Sequence, residues 1–598
     1  MQKSYATSPD EVTMPGSAKR LPTSALWGAR FLIVVCVFFL AAAVRAQEPP
    51  DTIYYNGVIV TMWAAHPVVQ AVAIRGSRFT AVGSDQEVLR TAGDATVKVD
   101  LHGRCVLPGL IDSHVHPISA ALGARRSQVP PLHTIAEIQA YIRHRAATMP
   151  AGQILLVPKV YATRLKERRY PTRAELDAAA ANRPVIVDNG YAAMLNSAAL
   201  KKVGISRSTA PPPDGKLIKD AQGEPTGLVL GAPGLLAPLR APHPATLQDR
   251  LWALQTMLHH YNEVGITSII DRAEGPAGFR AYQQLDRQAK LTARCYVTYA
   301  IGAQGTPVQV REAILQIPFV TGWGDDWYRV GTLKTYAEGG ILIGTAYLRK
   351  PYGTNTALYG YHDPNYRGVL RVPEANLVAM AKTADELGWQ MTAHTTGGGA
   401  TDLLLQAYQA ANREKPIRDL RFTVTHGNFP DPHAIQMAKD LGVAFDCQPA
   451  WLYLDGPAVK NVFGPARMAN FIPLASLFRA GVVVAGGSDH MIGFDPNTST
   501  NPYNPFLGMW IAITRKAVDG SVINSAQGIS REQALRMYTL NGAYLSFDEK
   551  KKGSIEPGKL ADMVVIDRNY LSCPVNEIKA IQALRTVVGG RVVFRRQQ

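Results

Sequence analysis

Cysteine is scarce, with five in 598 residues. Cys36 lies in an N-terminal apolar run, while Cys105, Cys295, Cys447 and Cys573 are far apart, three of them in apolar, strand-like contexts. That pattern argues against a small disulfide-stapled scaffold, and buried free thiols are the expectation. The chain also lacks a low-complexity tract and any fixed-period repeat, which excludes a disordered polymer or a solenoid. The uncharged apolar run FLIVVCVFFLAAAV, residues 31–44, is too short to cross a bilayer comfortably. No nucleic-acid motif is present. The formal charge is +16, but the cations are scattered in short clusters such as Lys550-Lys551-Lys552, which describes a solvated basic face.

The N-terminus reads as a targeting segment. Lys19, Arg20 and Arg30 precede the apolar run, and Val44-Arg45-Ala46 supplies a small-x-small cleavage site, so residues 1–46 are expected to be a signal peptide and the mature protein periplasmic or secreted. An uncleaved anchor is the alternative, and would be the chain's only membrane contact. Met14 is an alternative start that would leave a leader of ordinary length. Cleavage removes five basic and two acidic residues, leaving the mature chain at +13.

Next come TIYYNGVIVTM, AVAIRGSRFTAVG and ATVKVDLHGRCVLPG, short β-branched runs with Asn-Gly and Arg-Gly-Ser turns. GSIEPGKLADMVVIDRN and LRTVVGGRVVF at the far end have the same character. Neither piece can build a stable core alone, so residues 47–107 and 545–598 are expected to form one composite β-sandwich. Between them, 108–544 alternates apolar strands with helical stretches, the pattern of an α/β fold with a (β/α)8 TIM-like barrel, carrying an insertion over roughly 118–240. Candidate strands are 267–273, 331–339, 389–396, 421–428, 442–449 and 481–490, with helices such as EANLVAMAKTADELG between them.

LPGLIDSHVHP, residues 107–117, closes an apolar run on His114 and His116, which on a strand aim at one face. An H-x-H pair alone is weak evidence for a metal. Lys334, His394, His426 and Asp489, however, also fall at or near the C-terminal ends of apolar runs, and in a barrel those ends share the active-site face. Imidazole and carboxylate are zinc ligands, whereas a lysine ammonium has no lone pair and contributes only if CO2 converts it to a carbamate. Singly, each residue has a structural explanation: a core histidine, a snorkelling lysine, a capping aspartate.

The order of motifs resembles the amidohydrolase superfamily, and within it the N-substituted formamide deformylase-like branch, amidohydrolase family 3. The resemblance spans PGLIDSHVHP, LNSAALKKVGI, GEPTGLVL, LKTYAEGG, the His394 and His426 strands, CQP, GGSDH, and the closing ISREQALRMYTLNGAYLS and GSIEPGKLADMVVID. It implies a metal-dependent hydrolase of C–N bonds other than peptide bonds. His114, His116 and Asp489 would hold one zinc, His394 and His426 a second, and carboxylated Lys334 would bridge them; a single zinc, manganese or iron stays open. The metal would make hydroxide available near neutral pH, with Asp489 the catalytic base and then acid. Gly486-Gly487 would allow close backbone approach to it.

The chain departs from the family pattern at three places: Gly398 replaces an aspartate in His-x-x-Gly-Asp, Tyr191 stands where histidine is frequent, and Glu338 replaces an aspartate. These bear on substrate rather than on hydrolysis. The tyrosine-rich stretch 347–368, with Tyr352 and Tyr361, and Trp451 after the seventh strand, predict an aromatic pocket that, with Tyr191 and Glu338, binds a small amide. Cyclic amides, esters and carbamates remain open as substrates, as does a non-catalytic envelope binding protein, and the resemblance allows a homo-oligomer. The leader reading has a direct check: N-terminal sequencing of the protein recovered from its host is expected to begin at Gln47.

Overall fold

The computed structural model describes residues 48–127, 132–212, 215–239 and 245–597, so the proposed leader and Met14 lie outside the described residues. All that follows concerns the unit 50–598.

Eight parallel strands run around one sheet: β1 (Leu110–Val115), β2 (Ile266–Glu274), β3 (Arg294–Ala300), β4 (Tyr328–Tyr336), β5 (Met391–Thr395), β6 (Thr423–His426), β7 (Ala444–Cys447) and β8 (Val484–Gly486). Both faces of such strands are covered, which is why they read as near-continuous apolar runs. The third, RCYVTYA, is not among the strands anticipated above. The chain continues past β8 and pairs with β1: Val115 bridges His490 in parallel, the Asp489 N–H donates to the His114 carbonyl at 2.7 Å, and the His116 N–H donates to the His490 carbonyl at 3.2 Å. The sheet thereby closes into the expected (β/α)8 barrel.

Helices cover it. In Leu247–Asn262, Thr246 and Asp249 form a capping box, and Leu251, Leu254, Leu258 and Tyr261, spaced three or four apart, form the buried stripe. Glu374–Leu387 and Gly398–Asn412 occupy the predicted helical stretches.

Three strands from each chain end share one sheet, with Cys105–Pro108 antiparallel to Met563–Ile566 at its middle. A second sheet of four strands covers it, and Tyr54, Ile74, Phe79, Val106, Met563 and Val587 fill the space between: the β-sandwich from both ends. Asn56-Gly57 does not make a hairpin, because Thr52–Tyr55 and Val58–Val60 belong to different sheets and the dipeptide turns the corner between them. Cys105, Cys295 and Cys447 are buried free thiols on strands, and Cys573 is free and half-buried.

Between β1 and β2 the chain builds a mixed five-stranded sheet from Leu155 to Gly231. It is fastened to the helix after β7: Arg164 donates from Nε and Nη2 to Asp455 at 3.0 and 2.8 Å, and Thr163 donates to the same carboxylate at 2.6 Å.

The closing seam is tight. A Cβ on Gly487 would lie 2.7 Å from both the Cβ and the backbone nitrogen of His114, while Asp112 accepts the N–H of His114 and of Ser488, each at 3.0 Å. Gly487→Ala is therefore expected to cost about 1–3 kcal/mol by forcing the seam apart, and thermal melting against the parent checks this.

Candidate active site

The C-terminal ends of the strands surround a cavity of about 450 Å³. His114, His116, Lys334, His394, His426 and Asp489 all line it, gathered from five segments. Closure of the seam positions three of them: Asp489 Oδ1 lies 3.3 Å from His114 Nε2 and 3.2 Å from His116 Nε2. Asp489 and His426 both have positive φ, +54° and +73°, a conformation that non-glycine residues adopt at a cost and that recurs at functional sites. The His114 side chain is 1 % exposed and that of His116 16 %, so His116 stands nearer the mouth.

Hydrogen bonds select which imidazole nitrogen stays bare. His114 donates from Nδ1 to Asp446 at 2.9 Å, and His426 from Nδ1 to Gln448 Oε1 at 2.6 Å. His394 donates from Nε2 to the Gly339 carbonyl at 3.1 Å. The opposite nitrogens, His114 Nε2, His426 Nε2 and His394 Nδ1, keep their lone pairs. Burial holds all three rings neutral: it drives His394 down to about 3, with the Lys334 cation adding to the effect, and puts His114 and His426 well below their ordinary value.

These donors fit a metal ion. One nitrogen each from His114 and His116 and one Asp489 oxygen lie within 4.8 Å of one another, and His114 Nε2 is buried without a hydrogen-bond partner. An imidazole nitrogen left bare, neutral and fixed in direction is a ligand awaiting a cation. Lys334 is fully buried, and burial lowers its ammonium to about 8 even though Asp489 pulls the other way, so a useful fraction is the neutral amine that carboxylation by CO2 requires.

Of the residues expected to bind substrate, Tyr191 and Trp451 line the cavity, Tyr191 with its ring 5.1 Å from that of His394 and Trp451 stacked on His426 at 4.5 Å. Glu338, Tyr352 and Tyr361 do not line it. Glu338 is buried and accepts the backbone N–H groups of Tyr347, Thr396 and Gly397, so it ties the loop after β4 to the end of β5. Tyr352 and Tyr361 pack with Tyr359 and Tyr366, ring centres 4.5–6.0 Å apart, forming the small core that a loop of this length needs. The cavity's aromatic surface comes instead from Tyr161, Tyr191, Tyr336 and Trp451. Gly398 also has a packing reason: a Cβ there would lie 2.8 Å from the Phe429 carbonyl oxygen and press on the Arg349 guanidinium, so the loop after β4 rests where a side chain would stand. His490 is held between the Tyr261 hydroxyl at 3.0 Å and the Gly493 carbonyl at 3.1 Å, apart from the metal donors as expected.

Asp446, Gln448 and Arg272 were not anticipated. Asp446 accepts from His114, from the Ser113 hydroxyl at 2.7 Å, and pairs with buried Arg272 Nε at 3.2 Å. The signal was present: Asp446 and Gln448 alternate along GVAFDCQP, and a carboxylate inside an otherwise apolar strand demands a partner.

The amidohydrolase family profile matches residues 98–594. The N-substituted formamide deformylase of Arthrobacter pascens is 29 % identical over 575 residues, covering 91 % of this chain and 98 % of the relative. Protein LONG AFTER FAR-RED 3 of Arabidopsis thaliana is 27 % identical, with coverage of 92 % and 94 %. An uncharacterized metal-dependent hydrolase from Pyrococcus horikoshii OT3 superimposes with a TM-score of 0.65 at 20 % identity, over 88 % of this chain and 99 % of that one, a likeness of fold.

Asp446→Asn weakens the acceptor that aims His114, so affinity for a divalent metal ion is expected to fall about 10–100-fold, measured by competition with a chromogenic chelator.

Proposed function

Because this chain belongs to the amidohydrolase family, we propose that it is a metal-dependent hydrolase of small molecules, cleaving a C–N bond other than a peptide bond, and specifically a linear amide or N-acyl bond. The observation that carries this reading is the seam: it puts a partnerless, neutral imidazole nitrogen of His114 beside His116 and Asp489 at the barrel mouth, with His394, His426 and a buried lysine around the same cavity. The N-substituted formamide deformylase supports the bond type, and N-substituted formamides are the first compounds to try.

His114, His116 and Asp489 would hold one zinc ion, and His394 and His426 a second. Lys334 would join the two pairs as a carbamate, formed when its neutral amine attacks CO2, making one C–N bond and releasing one proton. Bound zinc would lower the pKa of a coordinated water toward neutrality and polarise the scissile carbonyl. Asp489, within 3.3 Å of both histidines of the seam, is placed to accept the proton of the attacking water and return it to the leaving nitrogen. Tyr191 and Trp451 flank the histidines with flat apolar surface for the organic part of the substrate. The leader carries the further proposal that the enzyme works outside the cytosol.

Elemental analysis tests the centre. About two zinc ions per chain are expected, falling to one or fewer in Lys334→Ala prepared identically; a parent protein without metal would overturn the reading.

A further inference from the structure

Resting on the amide-hydrolase reading, the geometry points to a substrate that carries an anionic group, a carboxylate, received by Arg371 on the cavity wall across Tyr191 from the metal donors.

The cavity is uneven in charge. Asp489 is the only carboxylate among the described residues lining it, whereas Lys159, Lys334 and Arg371 are all cationic linings. Asp489 and Lys334 belong to the proposed metal centre, which leaves Arg371 as a cation on the remaining wall. Arg371 follows the tyrosine-rich loop, held by its N–H to the Ala337 carbonyl at 2.8 Å. Its guanidinium lies over the Tyr191 ring, 5.4 Å from the centroid, and that ring in turn is 5.1 Å from His394. One aromatic ring therefore separates the guanidinium from a proposed metal ligand.

Arg371 Nε is buried and has no hydrogen-bond partner. A buried guanidinium N–H without an acceptor costs free energy that a carboxylate would recover in a planar, charge-assisted pair. Buried Arg294 shows what such a pair looks like: its Nε and Nη2 donate to the two oxygens of Asp562 at 2.7 and 2.9 Å. Trp451, which also lines the cavity, has a buried indole N–H without a partner. Leu342, Ile343 and Tyr336 supply apolar lining. The shape this describes is an amide with an apolar or aromatic body and an acid on one arm.

A matched pair isolates the acid: N-acetylphenylalanine and N-acetylphenethylamine share the amide and the phenyl ring and differ by the carboxylate. With the zinc-loaded enzyme, kcat/KM is expected to favour the acid by about ten- to a hundredfold, expressed chiefly in KM. In Arg371→Met that ratio should fall toward one, and Arg371→Lys should restore part of it. Equal or better use of the neutral partner, or a ratio that survives in Arg371→Met, overturns the inference while leaving amide hydrolysis standing. If neither compound is hydrolysed, calorimetric titration of the zinc-loaded protein with both decides: tighter binding of the acid, lost in Arg371→Met, sustains the anion site and counts against the amide-hydrolase reading alone. Equal binding of the two, or none, overturns the inference.

Discussion

Two backbone hydrogen bonds across the closing seam of the barrel bring three of the six donors together at its mouth. The Asp489 N–H reaches the His114 carbonyl and the His116 N–H reaches the His490 carbonyl. The His114–His116 pair and Asp489, distant along the chain, converge through backbone pairing, so their placement does not depend on flexible side-chain reach. Gly487 permits the approach, Asp112 ties both sides, and the left-handed turn at Asp489 directs its carboxylate back toward the histidines. Strain of this kind persists only where surrounding structure over-determines it, and the closed sheet does so.

Burial then controls charge. A ring of histidines in water would be partly protonated and mutually repulsive near neutral pH. Here, desolvation and neighbouring cations hold them neutral, while hydrogen bonds to Asp446, Gln448 and the Gly339 carbonyl decide which nitrogen each presents. The same burial weakens the hold of Lys334 on its proton. Below this ring the barrel interior carries polar pairs: Arg272 with Asp446, Thr392 with Thr425, and Thr332 donating to Gln390. The aiming of the ligands thus rests on a network running down through the barrel.

The barrel and its ring of donors were legible because parallel strands leave a simple trace, apolar runs ending in a polar residue, and His114, His394, His426 and Asp489 each fall at such an end. The sandwich was legible because neither terminal piece could have made a core alone. Other features depend on tertiary packing that no local pattern encodes. The third barrel strand begins with an arginine that is buried because Asp562 waits for it from the other end of the chain. Tyr352 and Tyr361 sit in a loop of the right composition for a binding pocket, yet a loop that long must first fill its own interior. Arg371 lines the cavity from a segment that ends no apolar run, so nothing local distinguishes it. Asp446 could have been found by treating a carboxylate within an apolar strand as a demand for a partner.

The pairing of Cys105–Pro108 with Met563–Ile566 sets an order on biosynthesis. While the chain is being made, Cys105–Pro108 finds its early neighbour Val58–Val60 on one side and an open edge on the other. Nothing can cover that edge until almost the whole polypeptide has emerged. The barrel's first strand follows directly and waits as well, for β8 and the turn beyond it. An enzyme built this way has high contact order and exposes sticky sheet edges throughout its synthesis, so its folding is a contest between completion and aggregation. Once the last strands dock, Thr52–Tyr55 lies inside the four-stranded sheet and Arg591–Arg595 along the edge of the six-stranded one, so local fraying begins at the C-terminal edge strand rather than at the pairing that joins the two chain ends.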